Sequence, residues 1–312
     1  MSNNLIKLIA AVVATMPLTM SVAAQTTDIN STTTIADTPL TQEKTAVTTK
    51  SSDPSFRLYR MNYWLTGSFC VVASAANVYA IPNLIKGKPD MTDQELQGVN
   101  KDAVPWFDRW ALQQDPSKRP MYMKTSDYVL PAVIITTGML GFDKNVRKDW
   151  ARILLMYYEM HALTFSIYNY SFFGPTFQNK YRPVEYYTDL PKSTRIGGNN
   201  RNSMYSGHVA TAVASSFFMV KVYCDYHPEI DRKKYLLYAL ATVPGFAVAY
   251  LRVGGLAHFP SDCMIGMTIG AVCGILVPEI HRFKNHKVMF APSTSPTGGI
   301  GLNMTWNIDK QM

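Results

Sequence analysis

The sequence predicts an all-α protein built as a bundle of six main helices. Six apolar segments follow one another through the chain, and each is long enough for a helix and too long for an ordinary strand. Their lengths approach the roughly 20 apolar residues that a helix needs to cross a bilayer, so we expect the bundle to be membrane-embedded. The segments cover residues 62–82, 127–142, 151–173, 207–224, 235–252 and 261–280.

The residues before the first segment form two stretches of different character. Residues 1–25 contain Lys7, an apolar run and small residues at 22–24, a pattern typical of an export signal peptide or of a retained N-terminal anchor. Either alternative places the protein in a bacterial cell envelope. Residues 26–57 are rich in Thr, Ser and charged residues, and such a stretch is expected to be a flexible polar leader.

The helical domain is expected to span residues 58–288, with a C-terminal tail at 289–312. Pro and Gly residues mark the tail as loop-like. Within it, residues 300–306 alternate between apolar and other residues and predict a short strand.

The net charge of +8 comes from lysines and arginines that lie in clusters between apolar segments. This distribution favours loops on one side of a membrane over a nucleic-acid groove, so no nucleic-acid partner is expected. With both ends of the bundle inside the cell, the active-site residues described below would lie outside. If the signal is cleaved, residue 26 onward would lie outside the cell, and the first segment would cross the membrane in the opposite direction.

A soluble periplasmic bundle remains the alternative, because the third and fourth segments carry Glu159, His161, Asn169, His208 and Lys221. Charges within a spanning helix are costly unless they face the bundle interior.

Cysteine spacing gives no sign of a metal site. The four cysteines are Cys70, Cys224, Cys263 and Cys273, and we expect them to be free thiols. No metal and no cofactor are predicted, and the sequence does not indicate an oligomeric state.

Three polar blocks lie between and within the last apolar segments. They occupy residues 179–183, 202–208 and 251–262, and they read Asn-Lys-Tyr-Arg-Pro, Asn-Ser-Met-Tyr-Ser-Gly-His and Leu-Arg-Val-Gly-Gly-Leu-Ala-His-Phe-Pro-Ser-Asp. Two arginines, two histidines, a Ser-Gly turn and a carboxylate at these spacings suit the binding of a phosphate and the cleavage of its ester bond.

These blocks resemble the type 2 phosphatidic acid phosphatase (PAP2) superfamily, which includes class A acid phosphatases and vanadium haloperoxidases. The pattern of that superfamily is Lys-x6-Arg-Pro, Pro-Ser-Gly-His and Ser-Arg-x5-His-x3-Asp. The resemblance covers roughly residues 60–285 and implies a six-helix bundle with its site at one end, and no metal.

Phosphate binding is assigned to residues of all three blocks. Guanidinium groups match phosphate oxygens with paired hydrogen bonds, which suits Arg182 and Arg252. Ser206 and Gly207 are expected to open a helix, where the hydroxyl caps the helix and also binds the anion. Lys180 is the nearest substitute for the superfamily lysine, whose position holds Pro175.

The catalytic residues are expected to be His258, His208 and Asp262. His258 would attack phosphorus and form a phosphohistidine. Asp262, four residues on, is expected to accept the other ring N–H of His258 and fix its tautomer. His208 would protonate the leaving oxygen and then activate water.

The chain departs from the superfamily pattern at two further positions, with Tyr205 in place of proline and Leu251 in place of serine. The sequence therefore predicts a hydrolase for a phosphate monoester or pyrophosphate, acting on a membrane lipid. The alternatives are a soluble periplasmic acid phosphatase acting on small phosphate esters, a vanadate-dependent haloperoxidase and a non-catalytic binding protein.

Overall fold

The computed structural model describes residues 58–282, 288–294 and 300–306, and the regular elements within residues 58–282 are helices. The predicted signal or anchor at 1–25 and the leader at 26–57 lie outside the described residues. The helices are α1 (Tyr63–Lys86), α2 (Asp93–Gln97), α3 (Arg119–Thr136), α4 (Trp150–Tyr170), α5 (Lys192–Arg195), α6 (Gly207–Tyr226), α7 (Lys234–Ala241), α8 (Val243–Gly254) and α9 (Pro260–His281). Short 3₁₀ turns join them at Lys101–Ala103, Arg109–Leu112, Pro116–Lys118, Thr137–Phe142, Val146–Asp149, Pro183–Tyr186, Gly198–Arg201 and Pro228–Lys233.

All six predicted segments are helical, which confirms the predicted fold class. The fifth segment is divided into α7 and α8, which meet at Thr242. Beyond the bundle, β1 (Val288–Thr294) pairs in antiparallel fashion with β2 (Ile300–Trp306), so the strand predicted at 300–306 is confirmed. The predicted domain boundaries stay a prediction.

The main helices alternate in direction, and side-chain contacts identify their two ends. At one end Tyr59, just before α1, donates a hydrogen bond to Asp225 near the end of α6 at 2.8 Å. At the same end, Tyr226 contacts Asp149 just before α4 at 2.7 Å. The three polar blocks lie at the opposite end, which we call the motif end.

Helices α6 and α9 run parallel and pack with their backbones in close contact. Gly266, Gly270 and Gly274 recur every fourth residue along α9 and face α6. A Cβ atom on Gly270 would lie only 2.3 Å from the carbonyl oxygen of Ala210. Only glycine permits this approach, in the manner of small-residue contacts between membrane helices.

The apolar core lies around this helix pair. One cluster joins α4, α6 and α9 through Met156, Met160, Phe218 and Cys273, all nearly inaccessible to solvent. A second cluster, nearer the motif end, includes Val213, Val248 and Phe259. All four cysteines are free, as predicted.

Much of the outer surface of the bundle is apolar. Three helical stretches, Tyr63–Lys86, Pro228–Gly254 and Pro260–His281, are long and apolar enough to cross a membrane by length and composition. On α1, Trp64 is 87 % exposed and Val78 is 73 % exposed. Such a continuous apolar exterior is expected of a membrane protein and not of a monomer in water.

We predict that Gly270→Val destabilises the bundle by about 1–3 kcal/mol, because the added side chain overlaps the α6 backbone. Thermal unfolding of the purified protein in detergent measures this effect. Gly67→Ala on α1 is the matched control, since its Cβ atom would meet nothing within 4 Å. Equal melting temperatures for the two variants would contradict this description of the α6–α9 contact.

Candidate active site

Backbone hydrogen bonds tie the three polar blocks to one another at the motif end. Residues of the second block bind the first and third blocks, and the residues beside Arg182 bind the turn that precedes His258. The bonds run from the amides of Ser203, Ser206 and Val184 to the carbonyl oxygens of Lys180, Asp262 and Leu256, at 3.0, 3.1 and 3.2 Å. Segments that are distant in sequence therefore form one site.

The turn before His258 has an unusual backbone conformation. Leu256 has a positive φ of 55° and a side chain that is fully buried against Val184 and Tyr187. A non-glycine residue in this region is strained, and such strain is often found at functional sites. Burial of the Leu256 side chain offsets part of this cost and fixes the path from Arg252 to His258.

Two arginines and a serine present hydrogen-bond donors that have no partner among the described residues. These donors are the Nε atoms of Arg182 and Arg252 and the hydroxyl of Ser206, all buried. Arg252 is only 4 % exposed, and its terminal nitrogen donates to Ser126 at 3.2 Å. Buried donors without acceptors are costly, so this arrangement suits an anion that would supply acceptors.

His258 is buried, and its environment sets its tautomer. Its Nδ1 lies 2.6 Å from the carbonyl oxygen of Ser203. A carbonyl oxygen can only accept, so Nδ1 carries the hydrogen and Nε2 keeps a free lone pair. Burial lowers the pKa of His258 well below its ordinary value, and the positive charges of Arg252 and Arg182 lower it further.

Asp262 does not make the predicted contact with His258. Its Oδ2 accepts hydrogen bonds from the Ser203 hydroxyl at 2.7 Å and from the Phe259 amide at 2.9 Å. The carboxylate turns back to cap the start of its own helix, α9, because it stands at the third helical position. Asp262 thus holds Ser203, whose carbonyl oxygen orients His258.

Lys180 does not present its charge to the anion site, contrary to the prediction. Its ammonium group lies 2.7 Å from Asp262, 2.9 Å from the Ser261 hydroxyl and 3.5 Å from Asp108. The contacts with Asp262 and Ser261 are hydrogen bonds, and the contact with Asp108 is an ion pair. Lys180 therefore compensates the buried charge of Asp262.

His208 lies at the partly open side of the site, with its side chain 35 % exposed. Its Nε2 is 3.4 Å from Oδ1 of Asp127, which comes from α3. A positive charge on His208 would lower the pKa of His258 further. A partly exposed histidine at the same end of the bundle as a buried one suits proton exchange with a leaving group or water.

Ser206 and Gly207 open α6 as predicted, but the serine hydroxyl makes no capping hydrogen bond. Within the described parts of the chain, the hydroxyl has no hydrogen-bond partner. A Cβ atom on Gly207 would lie 3.1 Å from the ring of Tyr168, so packing also favours glycine here. Tyr168 in turn packs edge-on against Tyr205 at 5.4 Å between ring centroids.

Several residues of this site were not found by sequence reasoning. Ser203 belongs to the second block, but its role depends on its carbonyl oxygen, which no residue pattern reveals. Ser126, Asp127 and Asp108 lie far from the blocks in sequence and carry no recognisable spacing. Only the folded arrangement brings them to the site.

The bundle gathers arginines, histidines and two helix starts at one end, an arrangement that suits the binding of an oxyanion. Residues 155–286 match the sequence model of the PAP2 superfamily, and this segment holds all three blocks. The match confirms the predicted resemblance and covers less than half of the chain.

No curated protein matches the chain. Among solved structures, one similar chain is described as the first transmembrane PAP2 type phosphatidylglycerolphosphate phosphatase from Bacillus subtilis. The two share 17 % identity over 70 % of this chain and 96 % of the other, with a TM-score of 0.38.

The positions of Lys180 and Arg182 predict different effects on anion affinity. We expect Arg182→Gln to weaken the binding of orthovanadate, a phosphate mimic, by about tenfold or more, because a charge-assisted hydrogen bond is lost. Lys180→Gln should change the affinity by less than about threefold and lower the melting temperature instead, since Asp262 loses its cation. Calorimetric titration and thermal unfolding measure both quantities. A larger loss of affinity in Lys180→Gln would restore Lys180 as an anion ligand.

Proposed function

We propose that this protein is a phosphatase that hydrolyses a phosphorylated membrane lipid through a phosphohistidine intermediate. One observation carries the proposal: buried donors of Arg182, Arg252 and Ser206, without partners among the described residues, lie at the same end of the bundle as a histidine whose Nε2 keeps its lone pair. The sequence match to the PAP2 superfamily over residues 155–286 supports it.

The reaction follows from the positions of these groups. Arg182 and Arg252 hold the non-bridging phosphate oxygens, assisted by the starts of helices α6 and α9. Nε2 of His258 attacks phosphorus, the bond from phosphorus to the lipid oxygen breaks, and His208 gives that oxygen its proton. His208 then takes a proton from water, the water oxygen attacks phosphorus, and the bond to His258 breaks.

The surroundings of the site support a lipid as substrate. Residues 101–118 lie at the motif end, where Asp108 accepts hydrogen bonds from the amide and hydroxyl of Ser261 at 2.8 and 2.6 Å. Beside Asp108, Trp106 is 82 % exposed and Phe107 is 45 % exposed. Exposed aromatic rings favour the interface between membrane and water, where a lipid head group lies.

The charge distribution supports a site that faces away from the cytoplasm. The short loops at the end opposite the motif end are denser in basic residues than the longer loops at the motif end, and short basic loops are retained inside the cell. We therefore propose an inner-membrane protein with a periplasm-facing active site. The basic residues are Lys144, Arg147, Lys148, Arg232, Lys233, Lys234 and Arg282.

Variants of the two site histidines test the mechanism. We expect His258→Ala to lower the hydrolysis of 4-nitrophenyl phosphate by at least about a thousandfold, because the nucleophile is lost. His208→Asn should release one nitrophenol per enzyme in a burst and then stall, because this leaving group needs no proton while water attack needs a base. Rapid-mixing absorbance measures both reactions.

The matched control is His227→Gln, at the opposite end of the bundle, which should keep wild-type turnover. Wild-type rates in His258→Ala would refute the proposed nucleophile. A panel of lipid and soluble phosphates, assayed with the same variants, separates the lipid phosphatase from an acid phosphatase of broad specificity.

The pH dependence of the burst reports the protonation of His258. Because neutral imidazole is the nucleophile, the burst rate falls only as the pH drops through the pKa of His258, which lies well below 6.5. Corrected for substrate ionisation, the rate should therefore stay nearly constant from pH 8 to about pH 5.5. With an ordinary pKa the rate would fall by about tenfold from pH 8 to pH 5.5, and that result would contradict a buried, neutral His258.

A further inference from the structure

Helix α3 places a third arginine beside the two that the sequence identified. Arg119 stands at the first position of α3, and its buried Nε has no partner among the described residues. The same unpartnered state is found at Nε of Arg182 and Arg252. Three arginines with this feature at one end of the bundle need a common explanation.

One face of α3 covers the active site. Arg119, Tyr122, Met123, Ser126 and Asp127 are spaced three and four residues apart, so they lie on the same side of the helix. Ser126 accepts a hydrogen bond from Arg252, and Asp127 contacts His208.

The aromatic and sulfur-containing residues of this face also touch the third block. A Cβ atom on Gly254 would lie 3.0 Å from the ring of Tyr122. A Cβ atom on Gly255 would lie 2.9 Å from the sulfur of Met123. Four of the five residues on this face therefore contact groups next to or within the site, and Arg119 continues the same row.

The positive charge of Arg119 acts on Arg182. Burial is the main cause that lowers the pKa of Arg182, and the positive charge of Arg119 lowers it further. Like charges at short range repel, and this repulsion is relieved when an anion binds between them. Lys180 is already paired with Asp262 and Asp108. Another cation can therefore serve as a ligand at the anion site.

We propose that Arg119 is a third phosphate-binding arginine, which donates to a non-bridging oxygen alongside Arg182 and Arg252. This inference rests on the proposed function and deepens it. It also means that the site is completed by α3, outside the segment that matches the superfamily.

Orthovanadate binding to the full-length protein in detergent tests the inference. Arg119→Ala should weaken binding by about tenfold or more, since one charge-assisted hydrogen bond is lost, while the melting temperature without ligand changes little. Arg119→Lys should recover part of the affinity, because it keeps the charge but not the forked donors. Lys118→Ala is the control, since this neighbouring side chain is 59 % exposed and pairs only with Asp115 in the described structure.

The outcomes separate this inference from the proposed function. If Arg182→Ala loses vanadate affinity and Arg119→Ala stays within about twofold of the wild type, Arg119 is not a ligand, although the phosphatase proposal stands. If Arg119→Ala loses affinity only together with a large fall in melting temperature, and Arg119→Lys restores both fully, Arg119 is structural and the inference fails. If the wild type binds no vanadate, the proposed function itself fails.

Discussion

The close parallel contact between α6 and α9 is the constraint on which the rest of the site depends. Three glycines of α9 let the two backbones meet, and the amide of Ser206 donates to the carbonyl oxygen of Asp262 at 3.1 Å. The first residues of both helices consequently lie side by side. Each helix start has free amides and a partial positive charge, so the packing of the core itself creates a favourable place for an anion.

Around this helix pair, a chain of contacts connects a buried carboxylate to the proposed nucleophile. Lys180 compensates Asp262, Asp262 holds the hydroxyl of Ser203, and the carbonyl oxygen of Ser203 fixes the tautomer of His258. Asp262 is thus a positioning residue that acts through another residue. The buried Nε donors of Arg182 and Arg252 remain without acceptors among the described residues, which suits them to a substrate with negative charge.

The sequence predicted the six helices and the convergence of its three blocks, because apolar length and residue spacing are local properties. It could not predict which way Asp262 turns, since one helical turn allows contact with His258 or with the helix start. It assigned Lys180 to the anion as the nearest substitute for the superfamily lysine, and it could not show the contact with Asp108, which is far away in the chain. For the same reason it missed the α3 face, where Asp127 reaches the site only through tertiary packing.

A structure of the protein bound to orthovanadate tests the central claim most directly, because vanadate adopts the geometry of the phosphoryl group during transfer. The account predicts vanadium bonded to Nε2 of His258, with the guanidinium groups of Arg182 and Arg252 within hydrogen-bond distance of its oxygens. Vanadate bound elsewhere, or a His258 ring whose Nε2 points away from both arginines, would contradict it.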